Sequence, residues 1–178
     1  MCQEPRRKKF ERDSKRGQEK EQEIANILGA EGFSRINFND DSKWDIRCYT
    51  KTNGRTGRYH CIEVKCEDAY STSGNICVEW KQGKPPRPSG ISISLSDITI
   101  HTFERYAALY RTRDMRTYIK TSYGTNNFRN NVKIMTLKNS DFQLAQGLII
   151  PVRLLKGKYF FDMCLLQDIA NSKVFKLQ

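Results

Sequence analysis

Nine residues, Arg58–Cys66, constrain this chain more than any other stretch; they read RYHCIEVKC. Successive side chains on a strand point to opposite faces, so His60, Ile62 and Val64 share one face. Tyr59, Cys61, Glu63 and Lys65 share the other. Such a strand belongs in a sheet that packs an apolar layer on one side and presents an acid and a lysine on the other. Burying those charges without partners is costly, so the charged side belongs at a rim or in a cleft.

The remaining periodicities describe one domain with a helix first. Ile24, Ala25, Ile27 and Leu28 recur at helical spacing, which predicts a helix over residues 17–31 with Gly32 as its stop. Glu21 lies on the core-facing side of that helix, near its N-terminal end. Strands are predicted at residues 33–38, 44–49, 58–66, 75–80, 98–103 and 107–111, and in the tail at 132–137, 148–154 and 159–163. Residues 82–90 (QGKPPRPSG) hold three prolines and two glycines and are expected to be irregular. Thr112 is placed to N-cap a short helix, RDMRTYIKT. The expected organisation is a basic N-terminal arm over residues 1–16, then a single α/β domain over 17–178 built on a mixed sheet.

Composition narrows the partner. The 178 residues carry a formal net charge of +11, which favours a polyanion, because each neutralised phosphate releases condensed counterions. The basic side chains best placed for that contact are Lys8, Lys9, Lys15 and Arg16 in the arm, and Lys81, Lys84 and Arg87 in the proline-rich loop. Tyr106, Tyr110 and Tyr118 are candidates for stacking on bases, with packing in the interior as the stronger expectation. No run of 18 apolar residues exists and no apolar h-region follows the charged N-terminus, so neither a membrane span nor a secretory signal is expected. The six cysteines include no CxxC and fit free thiols in a reducing compartment, the cytoplasm, or that of a host if the protein is viral. A zinc site from His60, Cys61 and Cys66 matches no usual ligand spacing.

Asp45 on one strand and Glu63-Val64-Lys65 on the next carry the chemistry. If these strands pair as a hairpin, Asp45 reaches the face of Glu63. Two carboxylates suit a hard divalent cation such as Mg²⁺, with Mn²⁺ as substitute, and the Val64 carbonyl could add a ligand. A metal there activates water and polarises a phosphodiester, while Lys65 orients or deprotonates the water and offsets developing charge. Glu21 could serve a second ion or hold a metal-bound water. His60 and His101 sit in strand-like runs and are expected to be structural rather than general bases.

The set Asp45…Glu63-x-Lys65 resembles the PD-(D/E)xK nuclease signature, with Trp44 standing where the proline usually is. The stretch KRGQEKEQEIANILGAEGF resembles the opening of archaeal Holliday-junction resolvases, in which a helix bears a catalytic Glu and a Gly-Phe pair follows. Glu21 falls on that Glu, Gly32-Phe33 on that pair, and CIEVK on the family's strand. This likeness covers residues 15–67. Beyond Lys65 the chain departs from the resolvases' long helix. Residues 73–97 are similar instead to phage-type members, with Glu79 on their further acid and Asp97 matching a turn or cap position. The resemblance implies a restriction-endonuclease-like fold and a Mg²⁺-dependent DNA endonuclease with catalytic Glu21, Asp45, Glu63 and Lys65. It also implies branched DNA as substrate and a homodimer. The alternatives are a phage-type or restriction-like nuclease on linear or single-stranded DNA, or an idle nucleic-acid-binding module.

Overall fold

In the computed structural model, residues 6–39, 44–50, 57–67, 74–138 and 144–176 are described, without the side chains of residues 6–10, 137, 138 and 144. The chain runs through α1 (Arg6–Ala30), β1 (Ser34–Phe38), β2 (Ile46–Thr50), β3 (Arg58–Cys66), β4 (Asn75–Gln82) and β5 (Arg87–Pro88). It continues with β6 (Ile98–Phe103), β7 (Tyr106–Arg111), α2 (Thr112–Ser122) and α3 (Asn126–Asn131). The last elements are β8 (Lys133–Lys138), β9 (Leu144–Pro151), β10 (Phe161–Leu165) and α4 (Lys173–Lys176), with short 3₁₀ turns between.

The alternating stretch is strand β3, near the middle of a mixed six-stranded sheet of order β1-β2-β3-β6-β7-β10. It pairs antiparallel with β2, Ile46 opposite Ile62 and Tyr49 opposite Tyr59. It pairs in parallel with β6, Glu63 opposite Thr99 and Lys65 opposite His101. The inward row of β3 meets Ile46 and Cys48 of β2 and Ile98 and Ile100 of β6, and α1 lays Ile24, Ala25 and Leu28 over them. Fully burying a side chain of this size contributes about 1.5–3 kcal/mol. α1 ends as its sequence requires: Gly32, at φ +88°, donates to Gly29 and Phe33 donates to Leu28, the paired bonds of a Schellman stop.

A second sheet, of order β5-β4-β9-β8, packs on the other face. Its Ile76, Val78, Leu148 and Ile150 form a second core with Phe103, Ala108 and Tyr110 of the large sheet and with Met115 and Ile119 of α2. Among the described residues the large sheet is therefore sandwiched only over its β6–β7–β10 half. On the β1–β2 half the outward side chains Arg35, Asn37 and Arg47 are exposed.

Several expectations need correcting. α1 begins at Arg6 rather than at residue 17, so the basic arm is largely a continuation of the helix. The proline-rich segment contains a two-residue edge strand, Arg87–Pro88, tolerable because an edge proline withholds no ladder donor. Thr112 does not cap α2; Arg111 holds that position, and the Thr112 hydroxyl bonds Ser96 (3.0 Å) and Thr99 (2.9 Å). The expected strand at 148–154 is β9, already begun at Leu144, and past Pro151 it becomes a 3₁₀ turn. Among the described residues no helix is long and apolar enough to cross a membrane.

His60 lies on the buried row, 2% exposed, with its ring 5.4 Å from that of Phe175. Its Nε2 is 3.4 Å from the Thr50 hydroxyl and its Nδ1 has no hydrogen-bond partner. Burial, reinforced by Arg58, pushes its pKa down to about 4. The folded state thus resists a proton that the unfolded chain accepts near pH 6.5. Stability from this residue is complete above pH 6.5 and is lost as pH falls toward 4. Urea midpoints should drop across that window, and His60→Gln should flatten the slope.

Candidate active site

Asp45 stands where β2 and β3 separate. Its N–H donates to the Ile62 carbonyl (2.8 Å), and its carboxylate accepts the Val64 N–H (2.6 Å). A side chain thus replaces the next backbone partner, and a buried N–H is satisfied after the β2 ladder has ended. The Val64 carbonyl projects to the same vacated edge, since both polar groups of a strand residue point one way.

Glu63 and Lys65, adjacent on the outward face of β3, form an ion pair; Glu63 is 16% exposed and Lys65 50%. Together with Glu79 of β4 they line a cleft of about 50 Å³ between the two sheets, floored by Thr99, His101 and Tyr110. Glu79 is held by the Ser89 hydroxyl. Gly90, next in sequence at φ +50°, presses on the Glu79 backbone; a Cβ there would stand 2.6 Å from the Glu79 carbonyl oxygen. Only glycine allows this approach.

The electrostatics follow from this crowding. Burial first, then Glu63, push the Asp45 pKa up to about 6; the Val64 N–H and Lys65 work against the rise and Glu21 adds to it. Burial opposes the Lys65 ammonium, but Glu63, Asp45 and Glu79 outweigh it and its pKa is raised. Lys65 is therefore a fixed cation near neutrality. As an ammonium it can orient water and offset charge.

The sequence-derived site residues separate into three groups. Asp45, Glu63, Lys65 and the Val64 backbone converge at one sheet edge. Glu21, half-buried on α1, reaches that edge through its charge on Asp45. Glu79 acts on Lys65 from the second sheet. Among the described residues no three His, Cys, Asp or Glu side chains gather closely enough to hold a metal ion, so Glu21 and Glu79 do not complete a ligand shell with Asp45 and Glu63. Two carboxylates that crowd each other nevertheless fit a hard divalent cation, which takes the rest of its coordination from water.

Other residues take structural parts. Asp97 clamps strand β3 to the start of β6: its carboxylate accepts the Cys61 N–H (2.9 Å) and its own N–H donates to the Cys61 carbonyl (2.7 Å). His101, 1% exposed, bridges Glu67 (2.7 Å) and the Tyr110 hydroxyl (2.9 Å). Glu67, which sequence reasoning missed, also accepts the Cys77 N–H (2.9 Å); it continues the every-second-residue row of Glu63 and Lys65. Tyr110 is buried, and half-buried Tyr118 packs against Phe160 (6.0 Å), so interior packing claims both; Tyr106 is 37% exposed. Lys15 and Arg16 are exposed on α1, and Lys84 and Arg87 on the loop, while Lys81 is half-buried; the side chains of Lys8 and Lys9 fall outside the described residues. His60 and Cys61 lie on opposite faces of β3, which removes the zinc alternative. No family model, curated protein or solved structure matches the chain.

The raised Asp45 pKa has a measurable sign. A carboxyl that holds its proton more tightly when folded burdens the fold above pH 6 and ceases to do so as pH falls toward 4. Asp45→Asn should therefore raise the urea midpoint relative to wild type at pH 8. The gap should close by pH 4.

Proposed function

We propose that this chain is a divalent-metal-dependent DNA endonuclease with a restriction-endonuclease-like fold. The observation that carries the reading is the convergence of Asp45, Glu63 and Lys65 at the edge where β2 leaves β3, beside the cleft that Glu79 closes from the second sheet. An acid pair held in such proximity, with Asp45 driven toward protonation by its surroundings, is poorly suited to stabilising a fold and well suited to binding a cation.

Asp45 and Glu63 would hold Mg²⁺ or Mn²⁺, which supplies a more acidic water and a positive centre for the phosphoryl oxygens. Lys65, fixed as a cation by its carboxylate neighbours, orients the attacking water and counters the charge that builds on the phosphorus centre. Glu79, steadied by Ser89, adds its negative charge to those that hold Lys65 as an ammonium. The strongly basic surface supplies the attraction for the phosphate backbone.

Branched DNA, cut by a homodimer as in Holliday-junction resolvases, is the narrower reading. It rests on the likeness of residues 15–67, supported by the charge of Glu21 acting on Asp45. An idle binding module is the competing class.

Incubation with four-way junctions, linear duplex and single strands at matched salt separates these. Cutting should require Mg²⁺ or Mn²⁺ and stop with EDTA. Glu63→Gln and Lys65→Met should each slow it by about 10²–10³-fold while leaving DNA binding intact. Cutting that ignores EDTA or both substitutions sinks the nuclease assignment; preference for linear single strands sinks the junction assignment alone.

A further inference from the structure

The β1–β2 half of the large sheet, which no described element of the second sheet covers, carries a second cluster on the same face as Glu63 and Lys65. Stepping back along β3 by twos from Lys65 passes Glu63, Cys61 and Tyr59, and opposite them on β2 stand Arg47 and Tyr49. The Arg47 guanidinium lies over the Tyr59 ring at 4.3 Å and the Arg35 guanidinium over the Tyr49 ring at 5.2 Å. Arg35 Nη1 also donates to the Tyr59 hydroxyl (3.0 Å), and the two rings are 5.0 Å apart.

Arg35 reaches this cluster through a bulge in β1, at φ +52°, a conformation uncommon for a residue with a side chain. Both arginines are exposed, and Tyr59 is 38% exposed. Among the described residues neither arginine pairs with a carboxylate. Two guanidiniums are thus held on aromatic rings with no carboxylate partner among the described residues, and apart from the bond to Tyr59 no hydrogen bond claims their N–H groups there. Such planes stack on bases and bind phosphate through two parallel hydrogen bonds.

We propose that Arg35, Arg47, Tyr49 and Tyr59 form a platform that seats an unpaired nucleic-acid strand and leads it toward Asp45, Glu63 and Lys65. The guanidiniums take phosphates while the rings and guanidinium planes take bases. An unpaired strand is the occupant because bases stacked inside a duplex cannot turn onto side chains. Tyr59 stands four residues from Glu63 along one strand, about 13 Å, so one bound strand spans both clusters. The destination rests on the nuclease reading; the binding does not.

The test uses the full chain in EDTA, so that nothing is cut. Anisotropy compares two oligodeoxyribonucleotides of about a dozen residues, one with bases and one abasic with the same phosphates. The base-bearing strand should bind about tenfold tighter. Tyr49→Leu with Tyr59→Leu should erase that preference, and Tyr59→Phe should retain it. Wild-type protein irradiated with the same strand carrying 5-iodouracil should form adducts on Tyr49 or Tyr59, a readout independent of how the variants fold. Equal binding of the two oligomers by wild type, or adducts confined to other surfaces, overturns the platform whatever the cutting assays give. Base preference and adducts as expected, in a protein that cuts nothing with Mg²⁺, uphold the platform and remove the nuclease reading.

Discussion

The hydrogen bond from the Val64 N–H to the Asp45 carboxylate decides where the sheet ends and the site begins. A strand between two neighbours has every backbone group claimed. At Ile62 the β2 side of β3 is still paired through backbone; two residues later it is paired through a side chain. That exchange lets β2 turn away without leaving a buried donor unsatisfied, while β6 holds β3 straight from its other side as far as Cys66. The carboxylate that makes the bond is thereby half-buried beside Glu63, and burial first, then that neighbour, raises its pKa. Asp45 thus caps the β2 ladder and forms part of the charged cluster at once.

Much of this was legible along the chain. The alternation in RYHCIEVKC separates a buried row from a charged row, and both β3 and β6 fall where their residues require. Gly32 stops α1, and His60 and His101 are interior. Other features left no local trace. The second sheet depends on pairing β4 with β9 across a long stretch of chain, and nothing in NICVEW announces a distant partner. The N-terminal extension of α1 lacks an apolar stripe, although its arginines, lysines and glutamates are good helix formers. The row of Tyr59, Arg47 and Tyr49 was visible in the same alternation that exposed Glu63, but a search for acids passes over it. The Asp45–Glu63–Lys65 cluster was readable as a face; its closure by Glu79, Ser89 and Gly90 required the second layer.

The two cores meet along the large sheet, and the polar residues between them are bonded to one another rather than left as gaps. Glu67 joins the end of β3 to His101 on β6 and to the backbone of β4; His101 passes the connection to Tyr110 on β7. Partly satisfied networks of this kind weaken a core, whereas this one gives each of these buried groups a partner and fixes the spacing of the sheets. The cleft beside Lys65 inherits its width from that spacing.

The order of the small sheet has a consequence for how the protein is made. β4 lies between β5 and β9, with Glu79 opposite Gly147. Chains emerge from the ribosome N-terminus first and fold as their parts become available. Asp45, Glu63 and Lys65 emerge early, yet the strand bearing Glu79 acquires its second neighbour only after Leu144–Pro151 has been synthesised. The nascent chain therefore carries a half-built charge cluster until that late strand arrives, and the C-terminal strands act as a timer on its completion.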